Sequence, residues 1–95
     1  MIQDKHLQQI TTIVKPYIKG KKVQVFLFGS SVRKERFGDF DIGLLGEIDE
    51  KIVRELKQAF VDSTLPYKVD VIDFNQTTPT FKNNVFNQPI IWIKH

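Results

Sequence analysis

Two aspartates separated by one residue are the side chains of this sequence best suited to chemistry. Asp39 and Asp41 lie on either side of Phe40, in a segment whose apolar residues favour a β-strand. Because successive side chains of a strand point to opposite faces, both carboxylates project from one face and Phe40 from the other. Neighbouring carboxylates repel each other unless a proton or a cation lies between them. A hard cation with oxygen ligands, such as Mg²⁺, suits this pair.

A Gly-Ser turn supplies the second half of a possible phosphate site. Gly29 and Ser30 directly follow the apolar run Val25–Phe28. Glycine can adopt a positive φ and lets a ligand approach the backbone closely. Ser30 offers a hydroxyl and begins a short helix, whose free N–H groups attract anions. A triphosphate can therefore bridge the turn and the metal.

A third carboxylate, Asp70, lies in a later segment predicted to be a strand, 67–74. Alternation places Asp70 on one face together with Ile72 and Phe74. Close to a two-aspartate metal site, this carboxylate can serve as a ligand, or as the general base that takes the proton from an attacking hydroxyl. We assign Asp70 this catalytic role.

Each of these residues also has a purely structural explanation. Ser30 can be only a helix N-cap, and Asp39 only a turn residue after Gly38. Taken together they are harder to explain in this way, because three carboxylates on one sheet face destabilise a fold that has no ligand there. We therefore favour a metal and nucleotide site.

The pattern resembles that of the minimal nucleotidyltransferases of the DNA polymerase beta-like superfamily, over nearly the whole chain. Their signature is a strand ending in Gly-Ser, a short helix, an Asp-X-Asp on the next strand and a further Asp on a later strand. The resemblance implies a catalytic and metal-binding role for the three aspartates. It implies nucleotide binding by residues of the turn and short helix, and these are Gly29, Ser30, Arg33 and Lys34.

The resemblance also implies an activity and a partner. Such a protein would use Mg²⁺ to transfer a nucleoside monophosphate, AMP from ATP, to a hydroxyl acceptor. Small members are often paired with a separate helical HEPN protein, and some act as the antitoxin that adds AMP to a tyrosine of a HEPN ribonuclease. A hetero-oligomer or a homodimer is compatible with this. The alternative is a catalytically silent module that neutralises or assists a HEPN partner by binding alone.

The remaining pattern predicts an α/β (α+β) fold, with a small mixed sheet of three to four strands flanked by helices, as in the polymerase beta-like nucleotidyltransferases. Apolar residues at helical spacing predict a first helix over 3–19, although Pro16 predicts a kink or an end near Val14 or Lys15. Strands are predicted over 23–28 and 39–45, with a helix from Asp49 to about Asp62.

The C-terminal part is predicted to contain a helix and a further apolar segment. Thr78-Pro79 predicts the start of a short helix that extends to about Phe86. The run Ile90–Ile93 can form an edge strand or remain exposed as a partner-binding patch, and we favour packing in the core.

Length and composition set further limits. The chain has 95 residues, of which 41% are hydrophobic, and this suits a single domain over 1–95. The absence of cysteine excludes disulfides and thiolate metal sites. With no signal-peptide run and no span-length apolar segment, we expect a soluble cytoplasmic protein without membrane association.

The net charge of +3 is mild, but basic residues gather at 19–22 and 33–36. Such clusters suggest nucleic-acid binding. We do not favour nucleic-acid binding, because triphosphate contacts explain the second cluster and a solvated turn explains the first.

Overall fold

The computed structural model describes residues 4–33 and 38–94, apart from the side chains of Ser31 and Arg33. A short 3₁₀ helix, Phe74–Gln76, lies between the third strand and the last helix. The other elements are, in chain order, α1 (Asp4–Ile18), β1 (Val23–Phe28), α2 (Ser30–Arg33), β2 (Asp39–Gly46), α3 (Glu50–Val61), β3 (Lys68–Asp73), α4 (Pro79–Phe86) and β4 (Ile91–Lys94).

The four strands form one mixed sheet in the order β3-β2-β1-β4. β1 runs antiparallel to both β2 and β4, whereas β2 and β3 are parallel. The predicted fold class, a small mixed sheet flanked by helices, is confirmed. Of the two alternatives for the run Ile90–Ile93, the edge strand is found, as β4 (Ile91–Lys94), and the basic stretch 19–22 forms an exposed turn between α1 and β1.

One face of the sheet carries an aliphatic core beneath α1 and α3. Alternate residues of β1 and β2 point to this face and are buried. This burial is expected, because interior strands are covered on both faces. Helix residues at a spacing of four complete the layer. Its fully buried members are Ile10, Val14, Val25, Leu27, Phe40, Ile42, Leu44 and Leu56.

The opposite face carries a smaller, aromatic core that α4 covers. Phe26 is fully buried, and its ring centroid lies 4.9 Å from that of Phe74 and 5.3 Å from that of Trp92. The Phe26 ring lies over Gly43, its partner on β2, where a Cβ would overlap the ring. Val85 of α4 closes this layer. The edge of this same face carries the aspartates.

The helix termini follow the sequence prediction. The Asp49 carboxylate accepts a hydrogen bond of 2.8 Å from the N–H of Ile52 and starts α3, which ends before Asp62. The Thr78 hydroxyl accepts one of 3.1 Å from the N–H of Phe81, with Pro79 in the first turn of α4. Local side chains therefore fix where both helices begin.

The predicted end of α1 near Val14 or Lys15 is wrong. The helix continues through Pro16 to Ile18. Proline removes one backbone hydrogen bond, but both Val14 and Ile18 are buried on the aliphatic face. The Lys94 ammonium also donates a hydrogen bond of 3.2 Å to the carbonyl of Ile18. These contacts outweigh the single lost bond, so the last turn stays helical.

Within residues 4–33 and 38–94, no helix has both the length and the apolar character needed to cross a membrane.

Candidate active site

The two aspartates of β2 stand on one face of the sheet, as the alternation predicts. Asp39 is exposed and Asp41 is partly buried, whereas Phe40 between them is fully buried on the aliphatic face. The strand begins at Asp39, so the carboxylates lie at the end of β2 that adjoins α2 in the chain. The buried Phe40 anchors the backbone that carries both acids.

The neighbouring strands place two further groups beside Asp41. Asp70 of β3 is the parallel partner of Asp41, and Phe28 of β1 is its antiparallel partner. Asp70 therefore lies directly across from Asp41 on the same face. Its Oδ1 atom lies 3.7 Å from the Nζ atom of Lys68, and both side chains are substantially exposed.

The electrostatics of the site centre on Asp41. Burial raises the pKa of this carboxyl above its ordinary value, and the negative charges of Asp70 and then Asp39 raise it further. The three carboxylates are thus near enough to repel one another, as their shared face implies. A cation placed among them would relieve this repulsion.

Gly29 lets the turn after β1 approach the Asp41 carboxylate. Its φ is +82°, in the left-handed region that L side chains rarely adopt. A Cβ at this position would collide with Oδ2 of Asp41. Glycine is therefore required here both for the backbone conformation and for the contact between the turn and the acid.

A cleft of about 470 Å³ opens between this turn and α4. Its floor is formed by Phe28, Gly29, Ser30 and Asp41. Its wall is formed by three residues of α4 and by one residue that follows the helix. The volume lies within the range of roughly 300–1,000 Å³ common for small-molecule sites. The wall residues are Phe81, Asn84, Val85 and Gln88.

Sequence reasoning did not identify that wall. The spacing of residues 81, 84 and 85 indicates one helix face, but only the docking of α4 on the sheet shows that this face adjoins Gly29 and Asp41. A second groove, of about 610 Å³, runs beside the edge strand β3 and is lined by Lys68 and Asp70.

The donor set fits a divalent cation. Aspartate oxygens are the ligands that Mg²⁺ prefers, and Asp41 with its acidic neighbours Asp39 and Asp70 carries a repulsion that such an ion would neutralise. Among the described residues no three His, Cys, Asp or Glu side chains form a ready metal cage. Mg²⁺ usually binds to one or two carboxylates and substrate phosphates and keeps several waters, so a complete protein cage is not required.

The remaining predicted residues divide into two groups. Ser30 is the first residue of α2, as predicted, and it lines the cleft. The side chain of Arg33 and the whole of Lys34 lie outside the described residues.

Fold and site together define a nucleotidyltransferase of the polymerase beta type. Residues 8–94 match the family model described as polymerase beta, nucleotidyltransferase, and the chain belongs to this family. Over 85 residues it is 29% identical to the probable protein adenylyltransferase MntA of Haemophilus influenzae, covering 85% of this chain and 73% of that protein.

Solved structures with the same fold come from toxin–antitoxin complexes. A toxin–antitoxin structure with AMP-PNP has a TM-score of 0.68 and 24% identity, covering 92% of this chain and 71% of that chain. The complex of a tri-AMPylated Shewanella oneidensis HEPN toxin with its MNT antitoxin has a TM-score of 0.68 and 23% identity, covering 97% and 71%. At these identities the likeness establishes the fold.

Proposed function

We propose that this protein is a Mg²⁺-dependent adenylyltransferase that transfers AMP from ATP to a hydroxyl of a HEPN-type partner. The observation that carries the proposal is the meeting of Asp41 with Gly29 at the floor of the cleft, with Asp70 across from Asp41 on β3. This juxtaposition joins an anion-accepting turn to a set of acidic cation ligands. Phosphoryl chemistry needs both.

In this proposal the phosphates of ATP lie over the turn. The β- and γ-phosphates contact the backbone of Gly29 and the hydroxyl of Ser30, which line the cleft. The α-phosphate then lies beside Asp41, next to Asp39 and Asp70 on the same sheet face. Arg33 and Lys34 follow Ser30 closely in the chain and are proposed as further phosphate contacts.

The reaction is an in-line displacement. The acceptor oxygen forms a bond to the α-phosphorus, the bond between that phosphorus and the bridging α–β oxygen breaks, and pyrophosphate leaves with the bonding electrons. Asp70 takes the acceptor proton. Because Asp70 also lines the groove beside β3, we place the acceptor on that side, opposite the α4 cleft. Bound Mg²⁺ supplies charge neutralisation at the phosphates, with Asp39, Asp41 and Asp70 as its proposed protein ligands.

The proposed partner rests on the relatives. The Haemophilus influenzae relative is described as a probable protein adenylyltransferase, and the Shewanella oneidensis complex joins an MNT antitoxin to a tri-AMPylated HEPN toxin. We propose the same arrangement here, with this chain as a single-domain cytoplasmic antitoxin and a tyrosine as the acceptor.

The proposal is tested by the intact mass of a HEPN-type protein encoded beside this chain. It is incubated with the chain, MgCl₂ and each nucleoside triphosphate in turn. We expect a gain of one or more AMP groups with ATP, and no gain with the Asp39→Asn/Asp41→Asn variant. The matched control is Asp4→Asn/Asp62→Asn. It also removes two negative charges, one from the first turn of α1 and one from the residue that follows α3.

Two results would contradict the proposal. A mass gain that survives Asp39→Asn/Asp41→Asn would show that these acids are not required. No gain with any triphosphate, while the two proteins still co-elute, would instead favour the catalytically silent binding module.

A further inference from the structure

Helix α4 presents an exposed aromatic ring to the cleft that contains the turn and Asp41. Phe81 is 39% exposed, although it is one of the larger apolar side chains of the molecule. Its ring centroid lies 5.6 Å from that of Phe74 and 6.4 Å from that of Phe28, which is the β-sheet partner of Asp41. Buried rings thus hold Phe81 in place while it remains open to the cleft.

Two carboxamides flank this ring on the same wall. Asn84 lies one helical turn after Phe81, and Gln88 lies two residues beyond the end of α4. Both residues are exposed, and the described part of the chain gives neither side-chain amide a hydrogen-bond partner. Each amide offers two donors and an acceptor to a ligand in the cleft.

The chemistry of the two sides of the cleft differs. The floor, at Gly29, Ser30 and Asp41, suits phosphates and a cation. The wall has no charged side chain, and it combines a flat apolar ring with neutral amides. A nucleoside has the matching character, because its base stacks on aromatic rings and its base edge and ribose hydroxyls form hydrogen bonds.

We propose that α4 and the turn that follows it bind the nucleoside, with Phe81 stacking on the base and with Asn84 and Gln88 hydrogen-bonding to the base edge or ribose. This inference rests on the proposed function, since it assumes that the phosphates occupy the Gly29-Ser30 turn. It assigns the binding of the nucleoside to a helix that carries none of the predicted catalytic residues.

The neighbouring residue Asn83 provides a matched control. Asn83 and Asn84 have the same side chain, are both exposed and occupy adjacent positions of α4, but only Asn84 lines the cleft. The two substitutions to alanine therefore remove the same amide from the same helix. They differ only in whether the lost amide lined the cleft. Phe81→Tyr retains the stacking ring that Phe81→Ala removes.

The test is the dissociation constant for ATP and for inorganic triphosphate, each measured by calorimetry with Mg²⁺ on the folded full chain. We expect Phe81→Ala to weaken ATP binding by about tenfold or more and Asn84→Ala by about fivefold. We expect Asn83→Ala to match the wild type, and Phe81→Tyr to bind ATP more tightly than Phe81→Ala does. All variants should bind inorganic triphosphate as the wild type does.

The outcomes separate this inference from the proposed function. If ATP binding is unchanged in both Phe81→Ala and Asn84→Ala, or weakened equally by Asn83→Ala, the nucleoside does not lie on α4, although the transferase proposal stands. If the wild type binds neither ATP nor inorganic triphosphate, both proposals fail. Should Phe81→Ala lose its fold, the pair Asn84→Ala and Asn83→Ala decides the question alone.

Discussion

The contact between Gly29 and Asp41 yields a sharp mutational prediction, because the chain contains a matched glycine elsewhere. Gly29 has a φ of +82° and Gly20 a φ of +73°, so alanine at either position adopts a left-handed backbone. That conformation costs about 1–2 kcal/mol for an L residue. A Cβ at Gly29 also overlaps Oδ2 of Asp41, whereas a Cβ at Gly20 meets nothing within 4 Å.

The two substitutions should therefore affect stability alike and activity differently. We expect both variants to lose about 4–16 °C in Tm, since 1 kcal/mol corresponds to roughly 4–8 °C in a domain of this size. In Gly29→Ala the Asp41 carboxylate must also retreat by about 1 Å, a displacement that can lower a catalytic rate by about 100-fold. Gly20→Ala leaves the acid in place and should retain full activity below its Tm.

The assay combines thermal unfolding with the initial rate of AMP transfer at a temperature where both variants are folded. Folded Gly29→Ala protein with a wild-type rate would show that the position of Asp41 against the turn is not needed for transfer. An equal loss of rate in Gly20→Ala would show that general destabilisation explains the effect.

Three further predictions concern the charges and the core beneath the site. Because the folded pKa of Asp41 is raised, the folded state holds this proton more tightly than the unfolded state, and the free energy of unfolding falls as pH rises through the folded pKa. Asp41→Asn should thus have a higher free energy of unfolding than the wild type at pH 7 without divalent cations. In urea titrations this difference should shrink toward pH 4, and a difference that does not depend on pH would contradict the assigned cause. MgCl₂ should raise the Tm of the wild type but not of Asp39→Asn, and an equal response of both would place the ion elsewhere. Gly43→Ala forces a Cβ into the buried ring of Phe26 and should cost about 1–3 kcal/mol in urea unfolding, whereas an unchanged midpoint would show that the aromatic core adapts.

The positions of the candidate site residues on their strands and turn could be predicted from the sequence, because the signals for them are local. The alternation of β2 fixes that Asp39 and Asp41 share a face, and a strand that ends in Gly-Ser marks the turn at Gly29. Capping is local as well, so the starts of α3 and α4 at Asp49 and Thr78 were predicted correctly.

Two features of α1 show where local signals mislead. Pro16 predicted a kink or an end near Val14 or Lys15, and the end is wrong, because the last turn packs on the sheet and the helix continues to Ile18. His6 lies near the start of the helix, yet its ring is buried, 5.3 Å from that of Tyr67 and 6.1 Å from that of Phe40. The spacing of residues 6, 10, 14 and 18 contained this signal, since all four are buried at intervals of four.

The sequence by itself determined which residues can do chemistry and the elements that carry them, since strand alternation, turn chemistry and helix caps depend on residues a few positions apart. Only the tertiary structure decided that Asp70 lies across from Asp41, because strand order and register depend on packing between distant segments. It also decided that Phe81 and Asn84 face the cleft, since the aromatic core of the sheet sets how α4 docks.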